Sequence, residues 1–106
     1  MPTALITGAS AGLGAEFARQ LARRRADLIL VARTPETLEA LGTELRTEYG
    51  VAVEILVADL AVESEVERVA ARLGDTSDPV DLLINNAGFG LPLQFADNDI
   101  DDEVRH

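Results

Sequence analysis

The sequence predicts an open α/β fold: a parallel sheet of about four strands and three helices, with helices on both faces. Three observations carry the prediction. Short β-rich runs alternate with stretches of helical periodicity, in the order β-α-β-α-β-α-β. The run Leu28-Ile29-Leu30-Val31-Ala32 is apolar throughout, as a strand covered on both faces must be. The joins from helix to strand are short, which suits strands linked by helical crossovers.

The elements follow in order. Ala4-Leu5-Ile6-Thr7 reads as the first strand. Leu13, Phe17 and Leu21 recur at four-residue spacing with Ala18 and Ala22 beside them, predicting the inward face of a first helix. Leu28 to Ala32 is the second strand. Thr34 is placed to cap the second helix, with Pro35 at its first position. The buried stripe of that helix is Leu38, Leu41, Leu45 and Tyr49, and Gly50 ends it. Val51 to Val57 is the third strand. Val66, Val69, Ala70 and Leu73 face inward from the third helix, which Gly74 closes. Val80 to Ile84 is the fourth strand. The tail, residues 89–106, reads as a loop and then the first turn of a helix that the chain cuts off.

At 106 residues the chain holds one domain, residues 1–106. There is no cysteine, and the lone histidine is His106, so neither a disulfide nor a Cys/His metal cluster is expected. No apolar run approaches the roughly 20 residues of a membrane helix. No basic segment precedes a long apolar one at the start, so a cytosolic protein is expected. The net charge of −10 sits wholly in residues 51–106, where 13 acids face three Arg. That field argues against nucleic acid and anionic membrane as partners. All nine basic residues are Arg; lysine is absent.

Thr7-Gly8-Ala9-Ser10-Ala11-Gly12-Leu13-Gly14 joins the first strand to the first helix. A pyrophosphate is favoured at a helix N-terminus, where free N–H groups and the helix dipole meet it. Glycine is needed where backbone touches phosphate. The loop lacks the Gly-Lys-Ser/Thr of a Walker loop. An ordinary glycine-rich turn is the alternative.

Three further positions stand at strand ends. After the second strand, the place where an acid usually holds the ribose hydroxyls of NAD reads Ala32-Arg33-Thr34. An arginine there grips a 2′-phosphate, predicting NADP over NAD, with Ser10 as a second donor. The alternative for Arg33 is a solvated strand end. Asp59-Leu60 follows the third strand. Its carboxylate suits an adenine amino group or, alternatively, a cap for the next helix. Asn85-Asn86-Ala87-Gly88 follows the fourth strand and suits both a sheet brace and a ribose neighbour.

These landmarks, from Thr3 to about Ala96, resemble the cofactor-binding front part of the short-chain dehydrogenase/reductase family. The spacing Thr-Gly-x-x-x-Gly-x-Gly and the Asn-Asn-Ala-Gly run match that family's motifs. The resemblance implies a Rossmann-type sheet. It also implies that Gly8, Ser10, Gly12, Leu13, Gly14, Arg33, Asp59, Leu60, Asn86, Ala87 and Gly88 contact the cofactor. Ala11 departs from the pattern, since many NADP users of the family carry a basic residue there. The implied activity is carbonyl reduction or alcohol oxidation by hydride transfer with NADP(H), on a small substrate, in a homo-oligomer.

The family's catalytic serine and Tyr-x-x-x-Lys pair lie downstream of Asn-Asn-Ala-Gly. Tyr49 is followed four residues later by Val53, and there is no lysine. No catalytic residue is therefore assigned. The chain holds only the cofactor-binding part and is not expected to complete the reaction by itself. A nucleotide-binding module or an inert remnant is the alternative.

Overall fold

The computed structural model describes residues 2–10 and 12–86. The readings of Ala87, Gly88 and residues 89–106 lie outside them. The described elements are β1 (Thr3–Thr7), α1 (Gly12–Arg23), β2 (Asp27–Ala32), α2 (Pro35–Tyr49), β3 (Val53–Val57), α3 (Glu63–Leu73) and β4 (Leu82–Asn85). All strand pairs are parallel, in the spatial order β3-β2-β1-β4. The chain thus winds outward from β1 through β2 to β3. It then returns to the other side of β1, opening a crevice where the winding reverses.

Alternation along the strands sends side chains to two cores. Ala4 and Ile6 of β1 and Leu28, Leu30 and Ala32 of β2 join the small residues of α1 and the leucines of α2. Leu5, Ile29, Val31 and Leu83 meet Val69 and Leu73 of α3 on the opposite face. Helices therefore cover both faces, as predicted. Leu5, Ile6, Leu30 and Val31 have no solvent exposure, which is why the central strands are apolar without interruption.

The inward face of α1 differs from the periodicity reading. Its buried residues are Gly14, Ala15, Ala18 and Ala22. Leu13 is 63% exposed, while Phe17 and Leu21 pack at the margin of the core. Small side chains let the helix axis approach β1 and β2. The large residues are displaced to the flank of that contact.

Two strands start later than predicted, for one reason. Ahead of β3, the Ala52 N–H donates to the Asp27 carboxylate at 3.0 Å. Ahead of β4, the Thr3 N–H donates to Asp81 Oδ2 at 2.8 Å. At each place a carboxylate takes one backbone N–H beside a remaining backbone bond, from the Leu28 N–H to the Ala52 carbonyl at 2.9 Å and from the Asp81 N–H to the Thr3 carbonyl at 2.8 Å, and regular pairing begins at Val53 and Leu82. At its other end β4 runs on to Asn85, opposite Thr7.

Thr34 occupies the N-cap of α2, but its side chain makes no capping bond. The hydroxyl of Thr37 instead donates to the Thr34 carbonyl at 3.1 Å. Tyr49 is half-buried against the core. At the surface, Arg72 bridges Glu54 and Asp78, both at 3.0 Å, tying α3 to β3 and to the loop before β4.

Helix α1 ends in a Schellman turn. The Arg25 N–H donates to the Ala22 carbonyl at 2.9 Å and the Ala26 N–H to the Leu21 carbonyl at 3.1 Å. Arg25 holds φ of 70°, the left-handed conformation that glycine adopts without penalty. Replacing it should relieve strain on the order of 1–2 kcal/mol, partly offset by the freedom glycine adds to the unfolded chain. Arg25→Gly is therefore expected to stabilise the chain by about 0.5–1 kcal/mol. Urea unfolding checks this: an unchanged or lower midpoint contradicts the account of the turn.

Candidate functional site

The C-terminal ends of β1, β2 and β3 enclose a cleft of about 360 Å³, within the size range of small-molecule sites. Gly8 and Ser10 line it after β1. Val31, Ala32, Arg33 and Thr34 line it at β2, and Ala58, Asp59, Leu60 and Ala61 after β3. Five predicted site residues thus meet at one place: Gly8, Ser10, Arg33, Asp59 and Leu60. Gly12, Leu13, Gly14 and Asn86 do not line it. Thr34 does, in addition to its place at the N-cap of α2.

The glycine loop is fixed from both sides. The Ala9 N–H donates to the Val31 carbonyl at 3.1 Å. The Asn86 side-chain amide donates to the Gly8 carbonyl at 3.4 Å. Thr7, fully buried, donates its hydroxyl to Asn85 Oδ1 at 2.9 Å. Asn85 and Asn86 therefore brace the sheet and the loop, which is one of the two roles expected of them.

The two glycines of α1 serve different ends. A Cβ on Gly14 would lie 2.1 Å from the Gly8 carbonyl oxygen and 2.9 Å from its carbon. No side chain fits there. A Cβ on Gly12, whose φ is +59°, would meet nothing within 4 Å among the described residues. Its surroundings are open, as an approaching phosphate requires.

Arg33 is exposed and forms no hydrogen bond or ion pair among the described residues. Among the described residues, no acid lines the β2 side of the cleft. Asp59 is more constrained. Its Oδ1 accepts from the Ala61 N–H at 2.9 Å, and its carbonyl accepts from the Val62 N–H at 2.9 Å. Its own N–H donates to Glu65 Oε1. Asp59 thus holds the turn before α3 and does not cap that helix, whose N-cap is Val62; among the described residues the turn engages only one carboxylate oxygen. The neighbouring Leu60 N–H has no described partner. The rim of the cleft thus offers an acceptor, Asp59 Oδ2, beside a donor, Leu60 N–H.

The family model for short chain dehydrogenases matches residues 2–105. The chain belongs to the short-chain dehydrogenase family. Among curated relatives, the very-long-chain 3-oxoacyl-CoA reductase of Vanderwaltozyma polyspora is 44% identical over 103 residues, covering 95% of this chain and 29% of that protein. Among solved structures, a short-chain dehydrogenase from Sphingobium yanoikuyae in complex with NADPH has a TM-score of 0.80 at 50% identity, covering 85% of this chain and 35% of that one. The bulky-bulky ketone specific alcohol dehydrogenase from Comamonas testosteroni has a TM-score of 0.79 at 42% identity, covering 85% and 37%. This short-chain dehydrogenase sequence therefore spans about a third of the length of the relatives it matches.

The two glycines separate experimentally. Gly14→Ala should cost about 3 kcal/mol of stability or more, since the overpacking is against the Gly8 backbone, or prevent folding. Gly12→Ala should keep the fold, at a cost of about 1–2 kcal/mol for left-handed backbone. Thermal unfolding of both variants checks this, and equal losses would contradict the division of roles.

Proposed function

We propose that this cleft binds the adenosine half of NADP(H), and that the complete protein is an oxidoreductase that interconverts a ketone and its alcohol. The observation that carries the cofactor choice is Arg33. It lines the cleft just after β2, exposed and without an ion-pair partner among the described residues, and no described carboxylate lines that side. A 2′-phosphate there receives two parallel N–H donors from the guanidinium. The Ser10 and Thr34 hydroxyls, both on the cleft wall, supply further donors.

The rest of the cleft fits an adenine. Its purine edge presents an amino donor beside a ring-nitrogen acceptor. Asp59 Oδ2 and the Leu60 N–H complement that pair in the same order. Val31, Ala58 and Leu60 provide buried apolar wall. The first turn of α1, opened by Gly12, would hold the pyrophosphate. Bound NADPH supplies hydride; this chain's residues bind and orient it.

The ketone assignment rests on the relatives. A 3-oxoacyl thioester and a bulky ketone share a carbonyl carbon flanked by two carbons. No residue described here is assigned to proton transfer. Tyr49 packs against the core and does not line the cleft.

Calorimetric titration of NADP and NAD into the chain tests the reading. NADP should bind about tenfold to a hundredfold more tightly, the span expected for one charge-assisted contact. Arg33→Ala should remove that preference while leaving NAD affinity near its starting value. Equal binding of both nucleotides to the unaltered chain would refute the role of Arg33.

A further inference from the structure

Three side chains or backbone groups hold Asp59, and one of them comes from a different element. Glu65, in the first turn of α3, reaches back across the loop to accept the Asp59 N–H. One turn along the same helix, Arg68 Nη1 donates to the Val57 carbonyl at 3.1 Å. Residues three apart share a helix face, so α3 grips the end of β3 at two points on either side of Ala58. The Asp59 carbonyl is held by the Val62 N–H and Oδ1 by the Ala61 N–H. Of the four hydrogen-bonding atoms of Asp59, only Oδ2 lacks a partner among the described residues.

We propose that Glu65 is a positioning residue for base recognition: by holding the Asp59 N–H, it fixes the direction of Oδ2 and so sets the preference for adenine over other purines. The inference rests on the reading of the cleft as an adenosine site. A buried hydrogen-bonding group discriminates only when it is held still, because a mobile carboxylate turns to suit another base. Hypoxanthine reverses the adenine edge, placing an oxo acceptor against Asp59 and a ring N–H against the Leu60 N–H. A fixed pair rejects it; a loose pair tolerates it.

The test is a titration of NADP and of its hypoxanthine analogue into the chain and its Glu65 variants. The unaltered chain should favour NADP by about tenfold to a hundredfold. Glu65→Gln keeps a side-chain acceptor and should keep that ratio. Glu65→Ala should bring the ratio close to one, mainly by relaxing rejection of the analogue. Glu65→Asp retains charge at the start of α3 but is one methylene too short, and should behave like Glu65→Ala; it serves if the alanine variant does not fold. The NADP-to-NAD ratio should be unchanged in every variant, since Arg33 follows β2 and Glu65 does not touch it. An undiminished base preference in Glu65→Ala or Glu65→Asp overturns the proposal, as does equal weakening of both nucleotides. If the unaltered chain shows no base preference while still preferring NADP to NAD, the adenine reading of Asp59 fails and the role of Glu65 falls with it.

Discussion

The site depends on one close approach, that of Gly14 in α1 to the carbonyl of Gly8 after β1. With 2.1 Å between a hypothetical Cβ and that oxygen, only glycine lets the helix seat itself on the loop. The same carbonyl accepts from the amide of Asn86, just after β4, and the next residue, Ala9, is bonded to β2. Three strands and a helix thus converge within two residues of the loop. This convergence holds the first turn of α1 at the mouth of the crevice, where its free N–H groups can meet an anion.

In the proposed site, the work of recognition divides by strand end. The end of β2 supplies positive charge through Arg33, and the end of β3 supplies a directed acceptor through Asp59. Each follows a strand whose core side chains are buried or packed against a helix. The chain carries a net charge of −10, concentrated in its second half. Its long-range field opposes an anionic ligand, while Arg33 and the α1 terminus favour it at contact. Screening limits the opposing field to about 10 Å at ordinary ionic strength, so the local groups decide the outcome.

Much of this was legible in the sequence. The alternating runs gave the order of elements, because buried parallel strands leave an unbroken apolar signature in β2. The glycine spacing, Arg33 and Asp59 could be placed because each stands at a strand end, where topology directs ligands. What remained hidden depends on tertiary contact. The four-residue spacing of Leu13, Phe17 and Leu21 suggested the inward face of α1, yet close seating on the sheet selects Gly14, Ala15, Ala18 and Ala22. Asp27 and Asp81 belong to no motif, yet their carboxylates each take a backbone N–H at the margin of a strand pair. Glu65 carried no motif at all. Its contact with Asp59 spans six residues and exists only once α3 has packed. Arg25 gave no sign of its left-handed backbone, since glycine is the usual marker of that turn.

The most direct test of the central claim is a crystal structure of the chain grown with adenosine 2′,5′-bisphosphate. The account predicts the 2′-phosphate against Arg33, with the purine amino group on Asp59 Oδ2. A bisphosphate found elsewhere, or in this cleft with its 2′-phosphate turned away from Arg33, would contradict it.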